Sequence, residues 1–411
     1  MEKKRVAMTG PFADVNFGDY AMLVNNLFDL YVEDVLLFTY DDKFLNKIKE
    51  DYLMDFNLEI RSVLLAEEFK NYTNTNYAFT PIEIISMINN YDELLNEMRN
   101  VDVLIVNGGG YFNSLWSKPH RLERLVKIIA PILIANQLGK EIAFTGNSYG
   151  PFEDDVNFFS SILGSLNNVT FGCRDDLYSP IWARQAGIVD KNIKKIPDDL
   201  LFINNNLKKW PKNYNIECDN YIVMETYLPL DYLEENIEKF RTFTTLMYNK
   251  YGVKTVFLPL HLGNGGLEQA EFLSKHLDYF EYVDISEKGY LPIQDSIEII
   301  QNATFLVCSR YHSFVLALEN ETPTMSVLKE VMGDKRYYYN KNAGVLNLVL
   351  NNTGFDERYY LGTDFIRTLK YIEKDFIQIV NEQKSKYNLQ YLNNKKNLYS
   401  IRENYLSQIV N

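Results

Sequence analysis

The run "VDVLIV" at residues 101–106, closed by "NGGG", constrains this chain more than any other feature. It has no apolar–polar alternation, so both faces of the strand are buried, as in a parallel sheet covered by helices on both sides. The same unit recurs. "RVAMTG" leads into the helical "DYAMLVNNLFDLYV", and "DVLLFTY" and "EIAFTGNSYG" repeat the apolar run ending in a turn. Strands alternating with helical patterns predict a doubly wound α/β domain. The pattern breaks at residues 198–219, "DDLLFINNNLKKWPKNYNIECD", and restarts with "NYIVMETY", "VKTVFLPLH", "YFEYVDIS", "ATFLVCSRYH" and "TPTMSVL". A helix is expected from about residue 264 to 276, with others over 293–302 and up to Glu319.

The expected fold class is therefore α/β, with two Rossmann-like doubly wound domains facing a cleft. The first spans 1–203 and the second 204–364, with a helical tail over 365–411. The 411-residue length suits two domains. Open α/β sheets bind ligands at the carboxyl ends of their strands, so the motifs that matter should lie where apolar runs stop.

Charge narrows the partners. A formal charge of -13 repels nucleic acid and anionic lipid at long range, so an anionic ligand needs a local basic site. The most apolar window, "LVKIIAPILIANQLG", is interrupted by Lys127, Pro131 and Asn136 and falls short of the roughly 20 apolar residues of a membrane helix. The N-terminal segment lacks the apolar stretch of a signal peptide, which predicts a cytoplasmic protein. Cys173, Cys218 and Cys308 have no metal-ligand or disulfide-framework spacing and are expected as reduced thiols.

Several strand ends carry polar groups. In "GPFADVNFGDYAML", Gly10 and Gly18 allow a tight backbone, while Asn16 and Asp19 either cap the first helix or face a ligand. The Gly108–Gly110 triplet either brings backbone N–H groups to a substrate, with Tyr111 and Asn113 against a sugar ring, or simply makes a tight turn. Asn147 ends the next strand in a similar place. Arg174 either holds a phosphate or carboxylate or pairs at the surface with Asp175 or Asp176. Asp198 and Asp199 have no third ligand at metal spacing, so no metal is expected.

"FLVCSRYHSFVLAL" reads as strand, turn and helix, which puts Arg310 and His312 at the mouth of the second sheet. Residues two apart in an extended turn face the same way. Ser309 or Ser313 is expected to cap the helix, whose positive end adds to the field. An arginine, a histidine and a helix N-terminus make an anion site with an acid/base attached, since histidine titrates near neutrality. The alternative is a structural His312 hydrogen-bonded to backbone.

In their order along the chain, "NFGDYAML", "GGGYF", "RDDLYS" with "AGI" and "PDD", and "CSRYHSFVLALENETPTMSV" resemble the polysaccharide pyruvyl transferases over residues 5–345. The resemblance implies a glycosyltransferase-B-like fold. It also implies transfer of the pyruvyl group of phosphoenolpyruvate onto two sugar hydroxyls as a cyclic ketal, with no cofactor. Carried over, Arg310, His312 and Arg174 hold the donor, with Ser309, Ser313, Lys335 and His261 beside them. Asn16, Asp19, Gly109, Gly110, Tyr111, Asn113 and Asn147 fall on the acceptor side. The acceptor is a sugar of a cell-surface polysaccharide, such as a capsule or exopolysaccharide, or its lipid-linked precursor, which implies work at the inner membrane face and leaves oligomerisation open. Tyr311 stands where the family commonly has leucine, and Glu268 where an aspartate is usual. A nucleotide-sugar glycosyltransferase of the same fold and a non-catalytic glycan-binding protein are the competing readings. Missing dinucleotide glycine spacing argues against an oxidoreductase.

Overall fold

The computed structural model describes residues 4–13, 15–70, 79–209, 214, 216–263, 266–331 and 333–411. It divides into two compact units, Met1–Asp14 with Gly18–Asp199 and Asn397–Asn411, and Val15–Phe17 with Leu200–Lys396.

In the first unit the strands are β1 (Val6–Thr9), β2 (Asp34–Thr39), β3 (Asn57–Ser62), β4 (Val103–Val106), β5 (Gly109–Phe112), β6 (Glu141–Phe144), β7 (Asn147–Tyr149), β8 (Val169–Cys173) and β9 (Ile193–Lys195). They form one sheet in the order β3-β2-β1-β4-β6-β8-β7-β5, with β9 beside β8, and the pairings between strands are parallel. All four residues of β4 are buried, as its unbroken apolar run requires. The helix Pro119–Gln137 lays Leu125, Ile129, Ile132 and Ile134 into this core.

The second unit is simpler. Strands β10 (Tyr221–Met224), β11 (Lys254–Phe257), β12 (Phe280–Tyr282), β13 (Phe305–Cys308), β14 (Thr324–Val327) and β15 (Leu361–Gly362) lie in the order β12-β11-β10-β13-β14-β15. This is the doubly wound order, in which the direction of winding reverses between the first and fourth strands, here β10 and β13.

Three expectations change. The glycine triplet is not merely a turn, because the chain resumes as β5. Gly109 has φ 150°, a conformation open to glycine, and this kink redirects the strand. The expected boundary at 203/204 falls instead after Asp199, because Asp198 and Asp199 are bound into the first unit by arginines. The segment 365–411 is not a separate tail. Phe365–Lys386 contributes Phe365, Leu369, Ile372, Phe376 and Ile379 to the second core, and the end of the last helix, Leu389–Val410, belongs to the first unit. The expected helix start near residue 264 lies outside the described residues, and the helix is described from Leu267 to His276. No described helix is long and apolar enough to cross a membrane.

Candidate functional site

The reversal point of the second sheet carries its densest polar chemistry. β10 runs out of apolar residues at Glu225, which is fully buried beside the end of β13. Its Oε2 accepts hydrogen bonds from Ser309 N at 2.9 Å and Arg310 N at 2.8 Å, and its Oε1 accepts from Arg310 Nε at 3.0 Å. Burial pushes the Glu225 carboxyl above its ordinary value, opposed by the Arg310 charge and the two amides. Burial would lower the Arg310 pKa, yet Tyr227 and Glu225 raise it above its ordinary value. A buried charge is tolerable only when paired in this way.

This carboxylate corrects the expected cap. Arg310, with extended backbone, is the N-cap of the helix Tyr311–Glu319, and no side chain of that residue caps it. Ser309 offers its N–H to Glu225, and Ser313 is buried with no hydrogen-bond partner for its hydroxyl among the described residues. Glu225 thus takes the N–H groups just ahead of the helix, not the first-turn donors that a serine cap would meet.

Beyond Glu225, Arg310 Nη1 donates to Tyr227 Oη at 3.1 Å and, within the same unit, to Asn16 Oδ1 at 3.4 Å. The Arg310 Cζ lies 3.9 Å from the Tyr227 ring centroid, and Lys329 Nζ lies 4.1 Å from the same centroid. Arg310 is buried, Tyr227 half-buried and Lys329 exposed. The buried Lys341 extends the cluster, with Nζ 3.9 Å from the Tyr337 centroid and 4.5 Å from that of Tyr338. His312 is half-buried in the first turn after Arg310, edge-on to Tyr311 at 5.2 Å. The end of β13 thus supplies an arginine and a histidine and the end of β14 a lysine, beside the tyrosine that follows β10, a setting suited to a multiply charged anion.

Lys335 and His261 both bond to backbone. Lys335 donates to the Thr363 carbonyl, and His261 Nδ1 is 3.0 Å from both Gly263 N and Gly263 O. Glu268 is exposed in the first turn of its helix. The sequence reading missed Glu225, Tyr227 and Lys329. The signal was available for Lys329, which stands two residues beyond β14 in "SVLKEV", six before the expected Lys335.

The residues expected at the carboxyl edge of the first sheet are mostly committed to structure. Gly108 N does not await a substrate. It donates at 3.1 Å to Asp199 Oδ2, which also accepts from Thr145 Oγ1 at 2.6 Å and Asn26 Nδ2 at 2.8 Å. Arg402 Nη1 balances this buried carboxylate at 2.7 Å. Tyr111 is only 1% exposed, with its hydroxyl on Asn107 O at 2.7 Å, so it cannot stack on a sugar. Asn113 is buried and spends its amide on the local turn with Gly110 O and the N–H groups of Leu115 and Trp116. Asn147 is buried with Nδ2 on Thr145 O. Gly110 and Asp19 are half-buried, and Asp19 lies in the first turn of Phe17–Leu30, where an acidic side chain is favoured.

Arg174 forms neither expected pair. It is 2% exposed, with Nη1 2.8 Å from Asp198 Oδ2 and Nε 2.6 Å from Ser148 Oγ. Asp175 instead accepts from the N–H groups of Leu177, Tyr178 and Ser179 ahead of the helix Ser179–Gln185. Among the described residues no group of three or more acidic, histidine or cysteine side chains is placed to hold a metal ion.

Solved structures share this architecture. A UDP-glucose complex of Alr3699/HepE from Anabaena matches with TM-score 0.59 and 10% identity over 99% of each chain. A UDP co-structure of MnaA from S. aureus matches with TM-score 0.55 and 13% identity over 93% of this chain and 91% of that one. A UDP-GlcNAc 2-epimerase from Methanocaldococcus jannaschii matches with TM-score 0.55 and 10% identity over 92% of each. At such identities these neighbours establish a glycosyltransferase-B-like fold. A search of curated proteins finds no match. The family model for polysaccharide pyruvyl transferase matches residues 16–328, and the chain therefore belongs to the polysaccharide pyruvyl transferase family.

Proposed function

We propose that the protein transfers the pyruvyl group of phosphoenolpyruvate onto two hydroxyls of a sugar in a cell-surface polysaccharide or its lipid-linked precursor. The observation carrying this reading is the cationic cluster at the β10–β13 reversal, where Arg310, Lys329 and His312 follow adjacent strand ends. Arg310 and Lys329 hold the donor's phosphate and carboxylate. Glu225 keeps the Arg310 backbone and guanidinium in place. His312 serves the proton transfers or donates to the departing phosphate.

In the reaction, both sugar oxygens bond to the donor's central carbon as its bond to the phosphate oxygen breaks. Of the two hydroxyl protons, one ends on the former methylene carbon, making it methyl, and the other leaves with hydrogenphosphate. Two well-placed cations meeting the redistributing charge would each supply roughly 3 kcal/mol. Arg174, held in the first unit, acts by fixing Ser148 and Asp198.

The UDP and UDP-glucose complexes of the structural neighbours favour one second reading, a nucleotide-sugar glycosyltransferase. Thermal shift with phosphoenolpyruvate against UDP, UDP-glucose and UDP-GlcNAc separates the two. Stabilisation by phosphoenolpyruvate, lost in Arg310→Lys and Lys329→Met, supports pyruvyl transfer. Stabilisation by the nucleotides alone refutes it. A lipid-linked acceptor would place the work at the inner membrane face.

A further inference from the structure

Tyr227 stands two residues beyond Glu225 and bears on both donor-holding cations. Its ring centroid is 3.9 Å from Arg310 Cζ and 4.1 Å from Lys329 Nζ, so the two charges lie within about 8 Å of one another, no farther than the screening length of physiological salt. Like charges that close repel, and a lysine side chain is long and flexible. A ring face attracts each cation and offsets the repulsion. The ring itself is fixed. Its hydroxyl receives Arg310 Nη1 at 3.1 Å, and the ring of the buried Tyr338 meets it edge-on at 6.5 Å.

We propose that Tyr227 is a positioning residue that sets the spacing of Arg310 and Lys329, making them the two prongs of a clamp for a ligand carrying two anionic groups. The inference rests on the phosphoenolpyruvate reading for the identity of that ligand, but the clamp itself is a property of the ring. Tyr227 acts through the two cations. It therefore governs donor binding more than the chemical step.

The test uses the full chain with Tyr227→Phe, Tyr227→Leu, Lys329→Met and the Tyr227→Leu/Lys329→Met double variant, titrated with phosphoenolpyruvate and separately with inorganic phosphate. Tyr227→Phe keeps the ring and should bind phosphoenolpyruvate within about threefold of the parent, whereas Tyr227→Leu should lose tenfold or more. In turnover the Leu variant should raise KM more than it lowers kcat. The double variant should lose little more than either single one, because Glu225 still holds Arg310 and both changes disable the Lys329 prong. Should Tyr227→Leu fail to fold, tetrafluorophenylalanine at position 227 keeps the shape while draining the ring's negative face, and it should weaken binding as the Leu variant would. Additive losses in the double variant, or unchanged affinity for both anions in Tyr227→Leu or the fluorinated protein, overturn the clamp. Parent protein that binds inorganic phosphate but not phosphoenolpyruvate refutes the donor assignment instead, and the same variants then test the clamp with phosphate.

Discussion

The two arginines singled out by sequence differ in what surrounds them. Arg174 is locked against Asp198, which is 0% exposed, so Arg174→Ala takes the countercharge from a buried carboxylate and should cost about 3–5 kcal/mol of unfolding free energy by denaturant titration. A ligand-only role would leave stability unchanged and remove donor affinity. His312→Ala leaves no buried charge behind and should keep the melting temperature within a few degrees while abolishing phosphate release from phosphoenolpyruvate with acceptor present. Retained turnover in that variant would remove His312 from the mechanism. The placement of Arg310 and His312 at a strand end was legible, because an apolar run that stops at a polar pair marks a sheet edge. Glu225 was not, because its hydrogen-bonded partners lie 84 and 85 residues away and a single acidic residue after "YIVM" carries no local pattern. Arg174 was legible as a charged strand end, but the buried Asp198 that claims it was visible only in three dimensions.

Elements report the same division between local and distant causes. The buried strands β4, β10 and β13 were readable from unbroken apolar runs, whereas β5, β7 and β15 are two to four residues long and depend on neighbours for their pairing. Gly108 precedes β5 for a steric reason, since a Cβ there would meet Asp199 Oδ2 at 2.2 Å. Gly108→Ala should therefore displace Asp199 from the bonds it accepts from Thr145, Asn26 and Arg402 and lower the melting temperature by several degrees or more, while Gly139→Ala, at φ 66° with open space around it, perturbs only its own turn. The helix Pro81–Ser86 offers a pH test at its capping box of Thr80 and Glu83. Hydrogen bonds from the Thr80 backbone and side chain hold the Glu83 carboxyl below its usual 4.5. A lowered folded pKa means the cap's contribution is present above 4.5 and is lost as pH falls through the folded value. Amide protection factors in this helix, taken relative to the intrinsic exchange rate at each pH, should fall as the pH drops below about 4.5, and Glu83→Gln should remove that dependence.

At the scale of the whole molecule, the alternation of strands and helices disclosed two doubly wound sheets, and the family resemblance anticipated the glycosyltransferase-B-like fold. The sequence pattern could not disclose that the reversal points of the two sheets are filled differently. In the first, Asp199 and Arg402 close the strand ends on each other, so the glycines there serve packing. In the second, the strand ends present cations. The pairing of Arg402 with Asp199 spans 203 residues, and no local spacing announces it. Burial also silences the thiols. It pushes Cys173 and Cys308 well above their ordinary range and Cys218 up to about 11. A thiol reagent at pH 7 should leave the native protein almost unmodified and react with all three cysteines on denaturation, reporting global opening. The central claim, that the cations at the β10–β13 reversal hold phosphoenolpyruvate, is tested most directly by a crystal structure with that compound soaked in. Its phosphate and carboxylate should lie on Arg310 and Lys329 with His312 beside the central carbon or the bridging oxygen, and an empty cluster, or the compound bound elsewhere, would contradict the account.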